Sequence, residues 1–247
     1  MTEKSPSWQR WLMLGVAAVG VAITFSLGMW QLGRAAEKTA LQDAKQQQSD
    51  QVVLDGRTLG TARDEPQQRQ ALIHRRMLLR GQWLPEHTVF LENRQMNGKP
   101  GFFALTPLKI EGTGAVVLVQ RGWAQRSFTD RIALPVMQTP LGLVEVQGHL
   151  APWPSRLYDF GGAGTGPIRQ NLDLTVYRQE TGLSVLEITL LQSGAASEGL
   201  LREWPVVASG VEKHHGYAFQ WFGLCGLITL LYVWFQIVQP RRQKRPA

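Results

Sequence analysis

Trp11–Gly33 is a run of 23 residues without a formal charge, and Gly216–Pro240 is a run of 25. Two such runs near opposite ends of a 247-residue chain constrain its fold more than any other feature. At about 1.5 Å rise per helical residue, each outspans the roughly 30 Å hydrocarbon core of a bilayer. The mean hydropathy of −0.15 matches a soluble protein only because the polar middle of the chain offsets the two runs. The expected division is a tail at 1–10, a span at 11–33, a folded domain at 34–215, a span at 216–240 and a tail at 241–247. This pattern argues against a soluble two-domain enzyme. With only two candidate spans, neither interrupted by proline, it also argues against a many-helix transporter. The single cysteine, Cys225, sits inside the second run and leaves no pair for a disulfide or a cysteine zinc site.

Charge sets the expected orientation. Arg241, Arg242, Lys244 and Arg245 crowd the last seven residues, a pattern that holds a segment on the cytoplasmic side. Two spans then place both termini in the cytoplasm and the middle domain outside, in the periplasm of a bacterial cell inner membrane. Beside a span, a basic tail is better read as a contact with anionic lipid than with nucleic acid. A cleaved signal peptide fits the first run poorly: its apolar core is long, and Gly33-Arg34-Ala35-Ala36-Glu37 is a poor cleavage site. Trp8, Trp11, Trp30, Tyr217, Trp221 and Trp234 stand where interfacial anchors would. Ala18, Ala22 and Ser26 in the first run, and Gly216, Gly223 and Gly226 in the second, are the expected faces for close helix packing.

From Arg34 to about Asp50 the sequence is polar and rich in helix formers, so the first helix is expected to continue past the apolar run. Beyond Arg75 the texture changes. Met77–Leu84, Thr88–Leu91, Phe102–Ile110, Ala115–Arg121, Leu143–Leu150 and Val185–Leu191 read as strands. Asn97-Gly98 and Glu111–Gly114 read as hairpin connections, and Asp173–Thr181 as a short helix closed by Gly182. The expected fold is therefore two terminal transmembrane helices flanking a mainly antiparallel β domain, barrel- or sandwich-like, with small helices.

Catalytic signatures are sparse. The glycine-dense stretch at 161–166 is followed by Pro167, lacks the Lys and the helix-opening Ser/Thr of a phosphate loop, and reads as a mobile loop. His74, His87 and His149 are far apart in sequence and read as surface or structural side chains. His214-His215 differs, because it lies at the entry of the second apolar run. A neutral imidazole there suits an axial position on haem iron, and either histidine is a candidate. Arg34 and Lys213 offer cations for haem propionates. Tyr217 and Trp221 follow His214 at three and seven residues, on one helix face, where they offer surfaces to a porphyrin.

Four blocks, in order between the two runs, resemble a known family. They are Gly28-Met29-Trp30-Gln31-Leu32-Gly33-Arg34 with Glu37-Lys38; Arg75-Arg76 to Pro107-Leu108, including Leu91-Glu92-Asn93-Arg94; Val117 to Arg121-Gly122-Trp123; and Lys213 to Phe222. Together they resemble the Surfeit-locus (Surf/Shy-type) assembly factors of cytochrome c oxidase. The resemblance implies a non-enzymatic protein that binds haem a and helps place or retain it in the catalytic subunit. Its implied partners are that subunit, the haem-a synthesis machinery and the lipid bilayer. The family's histidine before the Tyr-Ala pair falls on His214, making it the implied iron ligand, while His215 stands where the family usually has an apolar residue. Trp30, Gln31, Arg121, Gly122 and Trp123 are read as structural. The competing expectation is a haem-independent scaffold that grips oxidase subunits through its outer domain, with Arg121 and Trp123 mattering more than His214.

Overall fold

The computed structural model describes residues 7–127, 129–130, 133–158, 166–204 and 210–243. In chain order the elements begin with α1 (Ser7–Asp50), β1 (Leu54–Asp55), α2 (Gly56–Thr61) and α3 (Pro66–Ala71). Next come β2 (Arg76–Trp83), β3 (Val89–Met96), β4 (Lys99–Ile110), β5 (Val116–Gln125), β6 (Leu143–Ala151) and β7 (Ile168–Arg169). The last elements are α4 (Leu174–Thr181), β8 (Val185–Gln192), α5 (Val211–Val233), a π-helical turn (Trp234–Val238) and α6 (Gln239–Gln243). They form two units, one built from the ends of the chain and one from the β-rich middle beginning at Lys45.

In the helical unit, α1 is a single 44-residue helix. It and the helix running from Val211 are long and apolar enough to cross a membrane, and their apolar windows are almost wholly exposed rather than packed in a protein core. Thr24 returns its hydroxyl to the carbonyl of Gly20 at 2.8 Å, so an apolar stretch carries no unsatisfied hydroxyl there. The helices run antiparallel. Gln31 meets His214, Phe222 covers Gly28, Cys225 meets Val21, and Ile228 reaches Gly20. The inward positions recur by threes and fours: Ala17, Val21, Thr24, Gly28, Gln31 and Ala35 face Val211, His214, Ala218, Trp221, Cys225 and Ile228.

This seam corrects the sequence reading of the packing faces. Ala18, Ala22 and Ser26 point outward, as do Gly216, Gly223 and Gly226. Close approach instead uses Gly28, where an added Cβ would meet the Phe222 ring at 2.7 Å, together with Ala35 and Ala218. The second helix also starts at Val211, five residues before the expected 216. Both histidines are therefore inside the helix, and the π-helical turn interrupts its regular repeat before Pro240.

In the β unit the strands follow the order β1-β2-β6-β8-β5-β4-β3-β7, and a further β2–β4 pairing closes β2, β6, β8, β5 and β4 into a ring. Closure removes exposed edges from those five strands. The wall is filled by Met77, Leu79, Leu108, Ile110, Val117, Val119, Ile188 and Leu190. Asn97 and Gly98 take φ of 51° and 74° between the paired Met96 and Lys99, the two left-handed residues that a tight hairpin matching strand twist requires. Asp173 caps α4 by accepting from the Thr175 and Val176 amides, and Gly182 closes it in the left-handed region. Six strands and this helix lie close to their expected places. The sheet is mixed, however. Five pairings are antiparallel, but β1–β2, β3–β7 and β5–β8 are parallel, and β1, α2, α3 and β7 had no expectation.

Candidate functional site

The side chains named from the sequence fall into two places, one in each unit. In the β unit, β5 carries a one-residue bulge: Leu105 pairs with Gln120 and Ala104 with Gly122, leaving Arg121 as the extra residue. Arg121 shares the face of Val117 and Val119, and its guanidinium stacks on the Trp83 ring at 4.7 Å. It is 0% exposed. It donates to the Gln138 carbonyl and Thr139 Oγ1, both at 2.7 Å, and pairs with Glu198 at 2.8 Å. Gly122 admits Leu200 and Leu201, since a Cβ there would lie 2.7 Å from each. Trp123 is 2% exposed and donates from Nε1 to the Arg94 carbonyl at 2.9 Å. Arg121 and Trp123 are thus internal fasteners. Neither offers surface to a partner.

The second place is the end of the α1–α5 seam where Gln31 meets His214. His214 is half-buried, and its Nδ1 lies 2.7 Å from Gln31 Oε1. An amide oxygen only accepts, so Nδ1 is the donor in this contact, and the ring's ligand nitrogen is Nε2. Among the described residues Nε2 makes no hydrogen bond. An acceptor on the far ring nitrogen fixes the orientation and basicity of a metal-bound imidazole. Motif matching picked out Gln31 and His214 separately, and only the pairing of two distant helices brings them together.

The neighbours sort by helical angle. With 3.6 residues per turn, Gln31, Arg34 and Lys38 occupy one flank of α1, and His214, Tyr217 and Trp221 occupy the facing flank of α5. Arg34 lies 5.9 Å from the Trp30 ring and pairs with Glu37 at 2.9 Å. That pair is exposed and holds Arg34 weakly. Lys38 reaches the start of α5, where its Nζ lies 3.3 Å from the position of a Cβ on Gly210. Tyr217 is 51% exposed and Trp221 is half-buried, so only Trp221 belongs to the seam. His215 is exposed and turned about 100° away from His214. Phe25 and Phe222 fill the opposite flank, edge to face at 5.7 Å.

No group of three or more His, Cys, Asp or Glu gathers among the described residues. A lone, oriented imidazole does not hold a free metal ion, but it suits a metal that already has four ligands in a macrocycle. In the β unit, the fold brings His74 and His149 into electrostatic reach. Burial, then Lys45 and His149, hold His74 below its ordinary pKa; burial, then Arg76, do the same for His149. His87 stays apart, its backbone carbonyl accepting the Tyr177 hydroxyl at 2.6 Å.

A model of the SURF1 family matches residues 18–226, which takes in most of both long helices and the whole barrel. The chain belongs to the SURF1 family. It is 26% identical to a SURF1-like protein of Rickettsia bellii over 86% of this chain and 87% of that one. An uncharacterized SURF1-like protein of Mycobacterium bovis is 26% identical over 97% of this chain and 88% of its own length. The yeast cytochrome oxidase assembly protein SHY1 is 29% identical over 49% of this chain and 30% of its own. The SURF1 match contains the Gln31–His214 contact and the Arg121 network alike.

Proposed function

We propose that this SURF1-family protein is a two-pass bacterial inner-membrane factor for cytochrome c oxidase assembly. It binds haem a on the Gln31–His214 flank and assists the haem's entry into, or retention by, the catalytic subunit. The observation that carries the reading is the 2.7 Å Nδ1–Oε1 contact, which leaves Nε2 of His214 available as a ligand at the outer end of two helices with exposed apolar surfaces. When bound, haem a supplies the redox-active iron that the oxidase needs; the chain holds and orients it. His214 would offer one imidazole nitrogen to the iron. Arg34, released from its exposed pair with Glu37, and Lys38 offer charge-assisted bonds to propionates. One protein ligand on an open flank allows transfer. The family relationship and the name of the yeast relative support the assembly role.

The test is purification of the full chain from cells making haem a. His214→Ala should lose most of the bound haem spectrum while membrane insertion persists, and His215→Ala should keep it. Loss with His215→Ala alone would move the ligand to that residue, and a wild type that never carries haem would leave the scaffold role. Reporter fusions at Ala247 and within 160–166 should show opposite sidedness, and equal sidedness would refute the two-pass arrangement.

A further inference from the structure

The flank that carries His214 does not end at the histidine. On α5, His214, Tyr217, Trp221, Leu224, Ile228, Leu231 and Phe235 advance by alternating threes and fours, one continuous stripe. On α1 the facing stripe runs from Lys38 through Arg34, Gln31, Leu27 and Gly20 to Val16 and Met13. The stripes change character along their length. At the His214 end they carry two cations. At the other end they enclose an open apolar groove of about 550 Å³, floored by Gly20 and Ala17 and walled by Val16, Ile228, Leu231 and Phe235. Gly20 makes the depth, since an added Cβ would already touch Ile228 at 3.4 Å. The π-helical turn, which starts at Trp234, shapes the far end around Phe235 and Gln236.

We propose that this groove receives the isoprenoid tail of the haem whose iron His214 holds, so that the helix pair distinguishes haem a from tail-free protohaem. The inference rests on the haem reading above. Haem a carries its propionates on one edge and its long hydroxyalkyl isoprenoid chain on an edge away from them. The flank has the same polarity: cations beside His214, then an apolar channel. From Gln31 to Gly20 is eleven residues of α1, about 16 Å along the axis, and from His214 to Ile228 is fourteen residues of α5, about 21 Å. A porphyrin edge extended by such a tail reaches that far. The opposite flank offers no equivalent path, because the Phe25–Phe222 pair closes it. Transfer of the tail from lipid into the groove carries no hydrophobic gain, as lipid is equally apolar; selectivity comes from packing on Gly20 and Ile228 and from tethering the ring in one orientation.

The experiment titrates the apo full chain, reconstituted in lipid nanodiscs, with haem a and separately with protohaem, following the Soret band. Wild type should bind haem a about tenfold more tightly than protohaem. Val16→Trp and Leu231→Trp, which fill the groove from its rim, should bring haem a affinity down to that of protohaem and leave protohaem unchanged. Ala18→Trp, on the other flank, should alter neither. Equal wild-type affinities, or groove variants with unchanged haem a affinity, would show that bulk lipid occupies the groove and would overturn the inference while leaving the haem reading intact. A parallel fall for both haems would assign the groove to helix packing alone and overturn it likewise. Failure of both haems to bind wild type would remove both readings together.

Discussion

Glu198→Ala should destabilise the barrel more than Arg121→Met, although both break the same ion pair. The Arg121 guanidinium is 0% exposed, and its charge is balanced by Glu198, whose side chain is 18% exposed. Removing the carboxylate leaves a desolvated cation with two neutral acceptors and an indole face, a situation that costs about 3–5 kcal/mol in buried pairs. The partial exposure of Glu198 favours the lower end, about 3 kcal/mol. Arg121→Met removes the buried charge instead. Glu198 then keeps Arg202 at 3.2 Å, and the main loss is the donor to the Gln138 carbonyl, about 1–3 kcal/mol for an unmet buried acceptor. The double variant should cost less than the sum, with a coupling of about 1–3 kcal/mol, because neither residue then leaves the other unpaired. Urea titration of the detergent-solubilised chain, followed by tryptophan fluorescence, reads this directly. At a slope of about 1–3 kcal/mol per molar, Glu198→Ala should lower the midpoint by about 1–3 M. A Glu198→Ala midpoint at or above that of Arg121→Met, or strictly additive losses, would refute the view of Arg121 as a desolvated charge.

Trp123→Phe keeps an aromatic ring but removes the indole N–H that serves the Arg94 carbonyl, and should cost at least about 1–3 kcal/mol in the same urea assay. Gly28→Val should drive the Phe222 ring off its seat and cost about 1–3 kcal/mol of helix packing, visible as a lower thermal aggregation midpoint in detergent. His74 and His149 are both held below their ordinary 6.5, so between the folded values and 6.5 the unfolded chain binds more protons. Their neutral forms are accommodated fully above that pH, and stability should fall as pH drops below it. His149→Gln and His74→Asn should flatten that fall between pH 7.5 and pH 5, measured as urea midpoints, with Asn chosen because His74 sits at φ 73°.

Local features of the fold were legible wherever the signal was local. The alternation of Met77, Leu79 and Gly81 against Leu78 and Arg80 marks β2, and Asn97-Gly98 marks the β3–β4 hairpin without reference to the rest of the chain. The parallel β5–β8 pair was not legible, because nothing near Val116 says that Val185 will lie beside it. The same limit explains the helix seam. Periodicity says that Ala18, Ala22 and Ser26 share a face, but only a partner decides which face is buried, and here Phe222 chose Gly28. His214 could be singled out from its position at the entry of an apolar run. Its tautomer could not, because the atom that sets it, Gln31 Oε1, lies 183 residues away.

The ring of five strands has an order of assembly written into it. β8 is the last strand to leave the ribosome, yet it sits between β6 and β5 rather than at the margin. Until Gln192 has emerged, β6 and β5 each present an open row of backbone donors and acceptors. At about 5–20 residues per second, the interval from the end of β6 at Ala151 to the end of β8 lasts seconds. Through that interval the nascent domain is an incomplete cylinder with two complementary seams, and α1 has already been made. A chain stopped short of Val185 would carry those seams permanently. Early truncation of this protein therefore produces an adhesive fragment rather than a merely shorter domain.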